Sequence, residues 1–160
     1  MIFITLGSQK FQFNRLLMEI DKLVQEKKIN EEIFAQIGYS DYIPQNIQYK
    51  KFVDRDEFKE VMEKSTLVIS HGGTGAIITA LKQGKKVIAI PRLTKYGEHV
   101  DDHQIQLVDE FKELNLIEAI YNTEDLENAL QNCKNKEYNK YESNTHRIVK
   151  SIEDFIENNK

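Results

Sequence analysis

The chain has 160 residues, the size of one ordinary domain with a substantial core. Its 22 Lys and Arg against 26 Asp and Glu give a formal charge of -4, which argues against a dedicated nucleic-acid-binding protein. Its single cysteine excludes an intramolecular disulfide and a zinc site built from several thiolates, and this cysteine usage fits a reducing, cytoplasmic compartment.

Apolar runs alternate with helical patterns along the chain, as expected for βα units on a parallel sheet. The predicted strands are, in chain order, Ile2–Leu6, Ile33–Ile37, Ile47–Phe52, Leu67–Ser70, Lys86–Ile90 and Leu116–Ala119. The predicted helices are Phe11–Glu26, Arg55–Lys64, Thr74–Gln83, Asp101–Leu114 and Thr123–Cys133. The fold class is therefore α/β, a Rossmann-like parallel sheet with helices on both faces.

The two ends of the chain fit one domain over residues 1–160. The apolar run at 2–6 has no basic leader and no cleavage site, which indicates a strand rather than a signal peptide, and no run approaches membrane-spanning length. The tail, 138–160, is predicted to be a helix with one narrow apolar stripe, formed by Ile148, Ile152, Phe155 and Ile156. We expect this helix to dock on its own domain, with partner binding as the alternative.

A glycine-rich loop, Ser70-His71-Gly72-Gly73-Thr74-Gly75, follows one apolar strand and opens a helix. The first N–H groups of a helix have no internal partners and lie at its positive end, and glycines let a diphosphate approach the backbone. His71 at the strand tip would donate to a phosphate oxygen. The alternative is that the glycines only form a tight turn and allow close packing of helix on strand.

Two further polar loops follow predicted strands, Gly7-Ser8-Gln9 and residues 91–104. Ligands of open parallel sheets bind at the carboxyl ends of strands near the switch in strand order, so all three loops should converge on one crevice. In the last loop, Asp102, His103 and Gln104 are side chains that recognise sugar hydroxyls, each of which donates and accepts. The alternative is a surface helix capped by Asp101 or Asp102.

A metal site is a weaker interpretation of the same loops. Ligand-type side chains are present at His71, His99, Asp101, Asp102 and His103. Their spacing lacks the His-Glu-x-x-His pattern, and an anion site at a helix N-terminus is a poor neighbour for a cation, so we expect no metal. Nucleophilic catalysis is disfavoured too, because Cys133 lies outside the predicted crevice and no serine occupies a Gly-x-Ser-x-Gly elbow.

Residues 69–75, 84–91 and 102–104 together resemble the C-terminal, donor-binding domain of family 28 glycosyltransferases, and residues 1–11 extend the match to the start of the chain. The similarity reaches to about Ala119. Arg92 and residues 96–104 are typical of short bacterial polysaccharide glycosyltransferase subunits that pair with a membrane-associated protein. These subunits are similar to the catalytic subunit of the two-part transferase that adds the second N-acetylglucosamine in asparagine-linked glycosylation.

The resemblance implies the nucleotide-sugar half of a GT-B transferase split between two chains, and it implies site residues. His71 with the amides of Gly72, Gly73, Thr74 and Gly75 would hold the UDP diphosphate. Asp102, His103 and Gln104 would lie at the donor sugar, Phe52 and Val53 would flank uracil, and Gly7, Ser8 and Gln9 would line the same cleft. The chain has Thr79 where many relatives place a ribose-binding glutamate, and Glu98 is a candidate substitute.

The implied reaction is an inverting transfer of a hexose from a UDP-sugar to a lipid-linked saccharide in cell-surface polysaccharide synthesis. It needs no cofactor, and its catalytic base stays unassigned because the partner chain could supply it. We expect the protein to be cytoplasmic and to be recruited to the inner face of the membrane by a membrane-associated partner subunit. The identity of the sugar stays open. The alternative is a non-catalytic nucleotide-binding or scaffold module.

Overall fold

A computed structural model describes residues 1–142 together with Arg147, Lys150, Ser151 and Asp154. The predicted apolar stripe of the tail, Ile148, Ile152, Phe155 and Ile156, lies outside the described residues. The helix predicted from residue 138 does not begin there, because residues 138–142 are not helical. Tyr138 and Tyr141 instead pack against the core, and the Tyr138 hydroxyl donates to Glu118 at 2.8 Å.

Six parallel strands form one sheet in the order β3-β2-β1-β4-β5-β6. The strands are β1 Ile2–Thr5, β2 Ile33–Gln36, β3 Gln48–Lys50, β4 Leu67–Ser70, β5 Lys86–Ala89 and β6 Glu118–Ala119. The order reverses beside β1, which pairs with β2 on one side and with β4 on the other. The carboxyl ends of β1 and β4 therefore form the switch point at which such sheets bind ligands.

Within residues 1–142, five α-helices cover the two faces of the sheet. They are α1 Asn14–Gln25, α2 Arg55–Lys64, α3 Thr74–Lys82, α4 His103–Glu113 and α5 Leu126–Asn135. α1 and α5 pack on one face, and α2, α3 and α4 pack on the other. The predicted α/β fold is confirmed, and every strand and helix predicted before residue 135 is present. Within the described part of the chain, no helix is both long and apolar enough to cross a membrane.

Burial explains the strand pattern. All four residues of β1 and of β4 are buried, as expected for central strands covered on both faces, and both read as continuous apolar runs. The three residues of β3 are exposed, because β3 is an edge strand. The carboxyl ends of the central strands are thus held rigidly by the core, which fixes the position of the loops that follow them.

The segment between β2 and β3 is fixed by a buried carboxylate, Asp21 on α1. Asp21 accepts hydrogen bonds from the Tyr42 hydroxyl at 2.6 Å, the Gln45 amide at 2.8 Å and the Asn46 amide at 3.0 Å. The Asp21 side chain is only 4% exposed, so these bonds satisfy a charge that is removed from water. They order the loop that leads from the carboxyl end of β2 back to the start of β3.

Candidate functional site

Three loops meet at the carboxyl edge of the sheet, residues 7–9 after β1, 71–75 after β4 and 91–104 after β5, and we call them the switch-point site. A Cβ atom added to Gly72 would lie 3.5 Å from the Pro91 Cα and 3.7 Å from the Gln104 Cβ. His99 Nε2 lies 3.2 Å from the Gln9 side-chain oxygen, which joins the loops after β5 and β1. The predicted convergence of the three loops is confirmed.

The imidazole of His71 fills the centre of the switch-point site. Its Nδ1 lies 3.2 Å from the Thr5 carbonyl oxygen at the end of β1. A Cβ atom would lie 2.9 Å from this ring if it were added to Gly7, and 2.6 Å from Nε2 if it were added to Gly73. Gly7 also has φ +73°, a conformation that side chains disfavour. Both glycines are therefore required by the ring packed between them.

The protonation state of His71 bears on its predicted role as a hydrogen-bond donor to a phosphate oxygen. Burial, and secondly the charge of Arg92, lower the pKa of His71 to about 4, so the ring is neutral near pH 7. A carbonyl can only accept, so the ring proton lies on Nδ1 and donates to Thr5, which leaves a lone pair on Nε2. In this state His71 does not offer the predicted N–H to a phosphate oxygen, and its observed contribution is to fix the two glycine turns.

The amino end of α3 is open. Its N-cap, Gly73, has no side chain, so no side-chain cap accepts from the first N–H groups. The contrast is α2, where the Asp54 carboxylate accepts from the Glu57 amide at 2.8 Å. The unpaired N–H groups and the positive end of the α3 dipole lie at the switch-point site, and this is the geometry that binds an anion.

The 91–104 loop is cross-linked by its own acidic side chains. Asp102 accepts from the amide of Thr94 at 2.9 Å and from its hydroxyl at 3.2 Å. Asp101 accepts from the amide of His103 at 3.0 Å. These bonds hold both aspartates in the loop, so α4 begins at His103 and not at Asp101 as predicted. The cap-like bond comes from Asp101, and Asp102 secures the preceding turn.

The predicted sugar-contacting residues Gln104 and His103 differ in which of their side-chain nitrogen and oxygen atoms are already bound within the protein. The side-chain oxygen of Gln104 accepts from the Arg92 amide at 3.2 Å, and the Gln104 side-chain nitrogen has no hydrogen-bond partner among residues 1–142. Nδ1 of His103 lies 3.6 Å from Asp101, as does Nδ1 of His99 at 3.5 Å. Among the described residues no cluster of three or more His, Cys, Asp or Glu side chains has the geometry of a metal site.

The predicted uracil-flanking residues, Phe52 and Val53, follow β3 at the same edge of the sheet. Phe52 is 45% exposed and its ring meets that of Tyr39 edge to face, with 5.2 Å between centroids. Tyr39, itself 46% exposed, was not predicted. Its position after a strand end and a glycine, Gly38, was the sequence signal that could have found it. The pair forms an exposed aromatic surface beside the β2 end.

The prediction of Glu98 as a ribose contact is wrong. Its side chain is 1% exposed, one carboxylate oxygen accepts from Arg15 Nε at 2.7 Å, and the other accepts from the Leu93 amide at 3.0 Å. This buried carboxylate secures the loop and cannot serve as the proposed ribose contact. Thr79 lies in α3 and donates to the Gly75 carbonyl at 2.8 Å, so its hydroxyl proton is also engaged.

A cavity of about 480 Å³ lies at the opposite edge of the sheet, between α5 and the starts of β4 and β5. Lys86 in its wall is bound to the Cys133 carbonyl at 2.6 Å. Burial raises the pKa of the Cys133 thiol, which disfavours the reactive thiolate. Cavity size alone therefore does not locate the chemistry in this fold, and the polar loops at the switch point remain the candidate site.

Comparison with known families decides the identity of this fold. Residues 1–158 match the glycosyltransferase family 28 C-terminal domain. The chain belongs to this family. Among curated relatives, the UDP-N-acetylglucosamine transferase subunit ALG13 of Kluyveromyces lactis is 38% identical over 80 residues, covering 49% of this chain and 39% of the relative. The Candida albicans subunit of the same name is 26% identical, covering 65% and 34%.

Solved structures agree on the fold of this glycosyltransferase domain. The glycotransferase of kitacinnamycin superposes with a TM-score of 0.60 at 15% identity, covering 94% of this chain and 37% of that protein. MurG of Acinetobacter baumannii gives 0.56 at 15%, covering 96% and 49%. The fold is thus the C-terminal half of a GT-B glycosyltransferase. The chain spans less than half of each of these relatives, and the two curated ones are yeast proteins, so the predicted bacterial polysaccharide subgroup is not supported by them.

The packing of His71 predicts a sharp difference between two neighbouring glycines. Gly73→Ala places a methyl group against the imidazole and should lower the free energy of unfolding by about 1–3 kcal/mol. Gly75→Ala is the matched control, since its methyl meets nothing within 4 Å, and it should be neutral or stabilising by up to about 1 kcal/mol. Urea unfolding measures both. Equal changes in the free energy of unfolding for the two variants would contradict the packing of the His71 ring against Gly73.

The neutral state of His71 predicts a pH dependence of stability. Its pKa is about 4 in the folded chain, below the usual 6.5, so between these values the unfolded chain binds the proton more readily. Stability is complete above about pH 6.5 and falls by about 3 kcal/mol on the way to pH 4. In His71→Asn, whose amide can still donate to Thr5, this component should vanish. Parallel stability curves for the two proteins, measured by urea unfolding, would contradict the prediction.

Proposed function

We propose that this chain is the nucleotide-sugar-binding subunit of a two-part inverting glycosyltransferase, which transfers a hexose from a UDP-sugar. The observation that carries the proposal is the open amino end of α3 beside the glycine loop at the β1/β4 switch point. Membership of the family supports it, as do curated relatives whose names describe UDP-N-acetylglucosamine transferase subunits.

We propose that the parts of the donor bind to separate surfaces in and beside the switch-point site. The amides of residues 72–75 would receive the diphosphate, and the exposed Tyr39 and Phe52 rings would pack on the uracil. The Gln104 Cβ lies 3.7 Å from the Cβ position of Gly72, and the unpaired side-chain nitrogen of Gln104 would donate to a sugar hydroxyl. His103, one residue earlier at the start of α4, would contact the same sugar.

Leaving-group stabilisation would be the main catalytic contribution of this chain. As the anomeric bond breaks, negative charge grows on the diphosphate, and preorganised N–H groups at a helix end stabilise that charge without rearranging. The acceptor hydroxyl would attack from the opposite side and invert the anomeric carbon. The base that takes its proton stays unassigned and is proposed to come from the partner chain.

The acceptor and its setting are the less constrained part of the proposal. We propose a lipid-linked saccharide in cell-surface polysaccharide synthesis, on a membrane reached through the partner subunit. The curated relatives are UDP-N-acetylglucosamine transferase subunits by name, so UDP-N-acetylglucosamine is the first donor to test. UDP-glucose, UDP-galactose and UDP-glucuronate are the other donors to test. A non-catalytic nucleotide-binding module remains the second candidate, because the described residues match the donor-side half of these structures.

Substitution of Gln104 tests the sugar contact separately from the nucleotide contacts. Gln104→Ala should weaken binding of the preferred UDP-sugar about tenfold, the value of one or two hydrogen bonds, and change UDP affinity by less than about twofold. Gln106→Ala, an exposed glutamine on the same helix, is the control and should change neither. Isothermal titration measures all three proteins. Equal losses of affinity for UDP and UDP-sugar in Gln104→Ala would contradict the proposed contact between Gln104 and the sugar. A wild-type chain that does not bind UDP would overturn the proposed function.

Transfer should require the second subunit. We expect the purified chain to bind UDP-sugar but to transfer little, and co-expression with a membrane-associated acceptor-binding subunit to restore transfer and to bring the chain to floated membranes. The proposed docking surfaces are the rim of the switch-point site and the tail carrying Ile148, Ile152 and Phe155, which lies outside the described residues. Full transfer by the chain alone to a water-soluble acceptor would contradict the two-part architecture, and binding without transfer in the presence of the partner would favour the scaffold module.

A further inference from the structure

The largest fully buried side chain of the described protein is a cation, Arg92, which follows β5 and Pro91. Its Nη2 donates to the Leu6 carbonyl at 2.7 Å and to the Phe11 carbonyl at 3.2 Å. The guanidinium carbon lies 5.6 Å from the centre of the Phe13 ring. Arg92 is therefore packed beneath the loop that follows β1, with 0% of its surface exposed.

The charge of Arg92 has no direct counter-ion. Within residues 1–142, its Nε and Nη1 are buried and have no hydrogen-bond partner. Glu98 contributes only through space, because its two oxygens bind Arg15 and the Leu93 amide. Burial lowers the pKa of Arg92 to about 10, which still leaves it positive at neutral pH. A buried charge without a paired counter-ion costs several kcal/mol, and the two carbonyls, the Phe13 ring and the distant field of Glu98 offset only part of that cost.

The position of Arg92 relates this charge to the switch-point site. The carbonyl of Leu6 that it binds precedes Gly7, whose Cβ position lies 2.9 Å from the His71 ring. The backbone amide of Arg92 donates to Gln104, beside the Gly72 turn. The cation also acts on His71 itself, where it opposes protonation of the imidazole. Arg92 thus binds the residues on either side of the 7–9 loop, lies in the 91–104 loop itself, and follows Pro91, whose Cα lies 3.5 Å from the Cβ position of Gly72.

We propose that Arg92 is a buried counter-charge for the diphosphate, a positioning residue that attracts the bound anion through the low-dielectric interior without touching it. The inference rests on the proposed function and extends it to a residue that no exposed surface would reveal. The attraction across a protein interior is screened less by solvent and salt than that of a surface lysine. The same guanidinium holds the loop after β1 in place through the carbonyls of Leu6 and Phe11.

The test compares a charged ligand with its uncharged counterpart. Arg92→Met keeps an unbranched apolar stem in place of the arginine stem and removes the charge, and should weaken UDP binding about tenfold or more while changing uridine binding less than about twofold. Arg92→Lys keeps the charge and should retain most of the UDP affinity. Lys82→Met, which removes one exposed positive charge from the last turn of α3, at the far end of that helix from the switch-point site, is the control and should leave both affinities unchanged.

A second measurement reports the field of Arg92 without a ligand, and Arg92→Gln replaces Arg92→Met in both measurements if the latter folds poorly. In Arg92→Lys and in any folded Arg92→Met, nuclear magnetic resonance titration of the His71 ring reports the local field, and the His71 pKa should rise in Arg92→Met and stay near the wild-type value in Arg92→Lys. Equal loss of UDP and uridine binding, UDP binding in Arg92→Met equal to wild type, or loss of UDP selectivity in Arg92→Lys would each overturn the inference. A wild-type chain that does not bind UDP would overturn the proposed function as well, which distinguishes the two failures.

Discussion

The close approach of β1 and β4 around one imidazole is the constraint on which the site depends. The ring of His71 bridges the two strand ends through Thr5, and it leaves no room for a side chain at Gly7 or Gly73. Both glycine turns are thereby fixed by the same group. Because the strands themselves are buried along their whole length, the turns inherit the rigidity of the core and cannot shift independently.

The electrostatics of the site follow from this packing. A buried imidazole is held neutral, a helix end is left without a cap, and a guanidinium lies beneath the first loop without a counter-ion. Each of these costs stability or leaves a polar group unsatisfied in the free protein. The helix end and the guanidinium both favour an anion at the carboxyl edge of the sheet, on a chain whose formal charge is -4. Net charge therefore says little about the ligand of this protein.

The fold could be predicted from the sequence more completely than the site. Apolar runs placed α2 and β4 at their observed bounds, because propensity and burial agree there. The start of α4 was two residues early, since the side chains of Asp101 and Asp102 hold the loop instead of joining the helix. Glu98 looked available in sequence and is buried, because its partner, Arg15, lies on α1, far away in the chain. Such long-range pairs leave no local pattern, and the charge state of His71 depends on them in the same way.

The loop after β5 is preorganised by bonds that involve no ligand. Gln9 reaches His99, Arg15 reaches Glu98 and Thr94 reaches Asp102, so the loop is tied to β1, to α1 and to itself. Binding to a surface of this kind does not require the loop to be ordered at the moment of contact, which removes one cost of association. The Gln104 Cβ lies beside the Gly72 turn, and its side-chain oxygen is held by the Arg92 amide. Discrimination between sugars would then depend on donor geometry fixed in advance, and a second subunit would have to complete the cleft without remodelling this half.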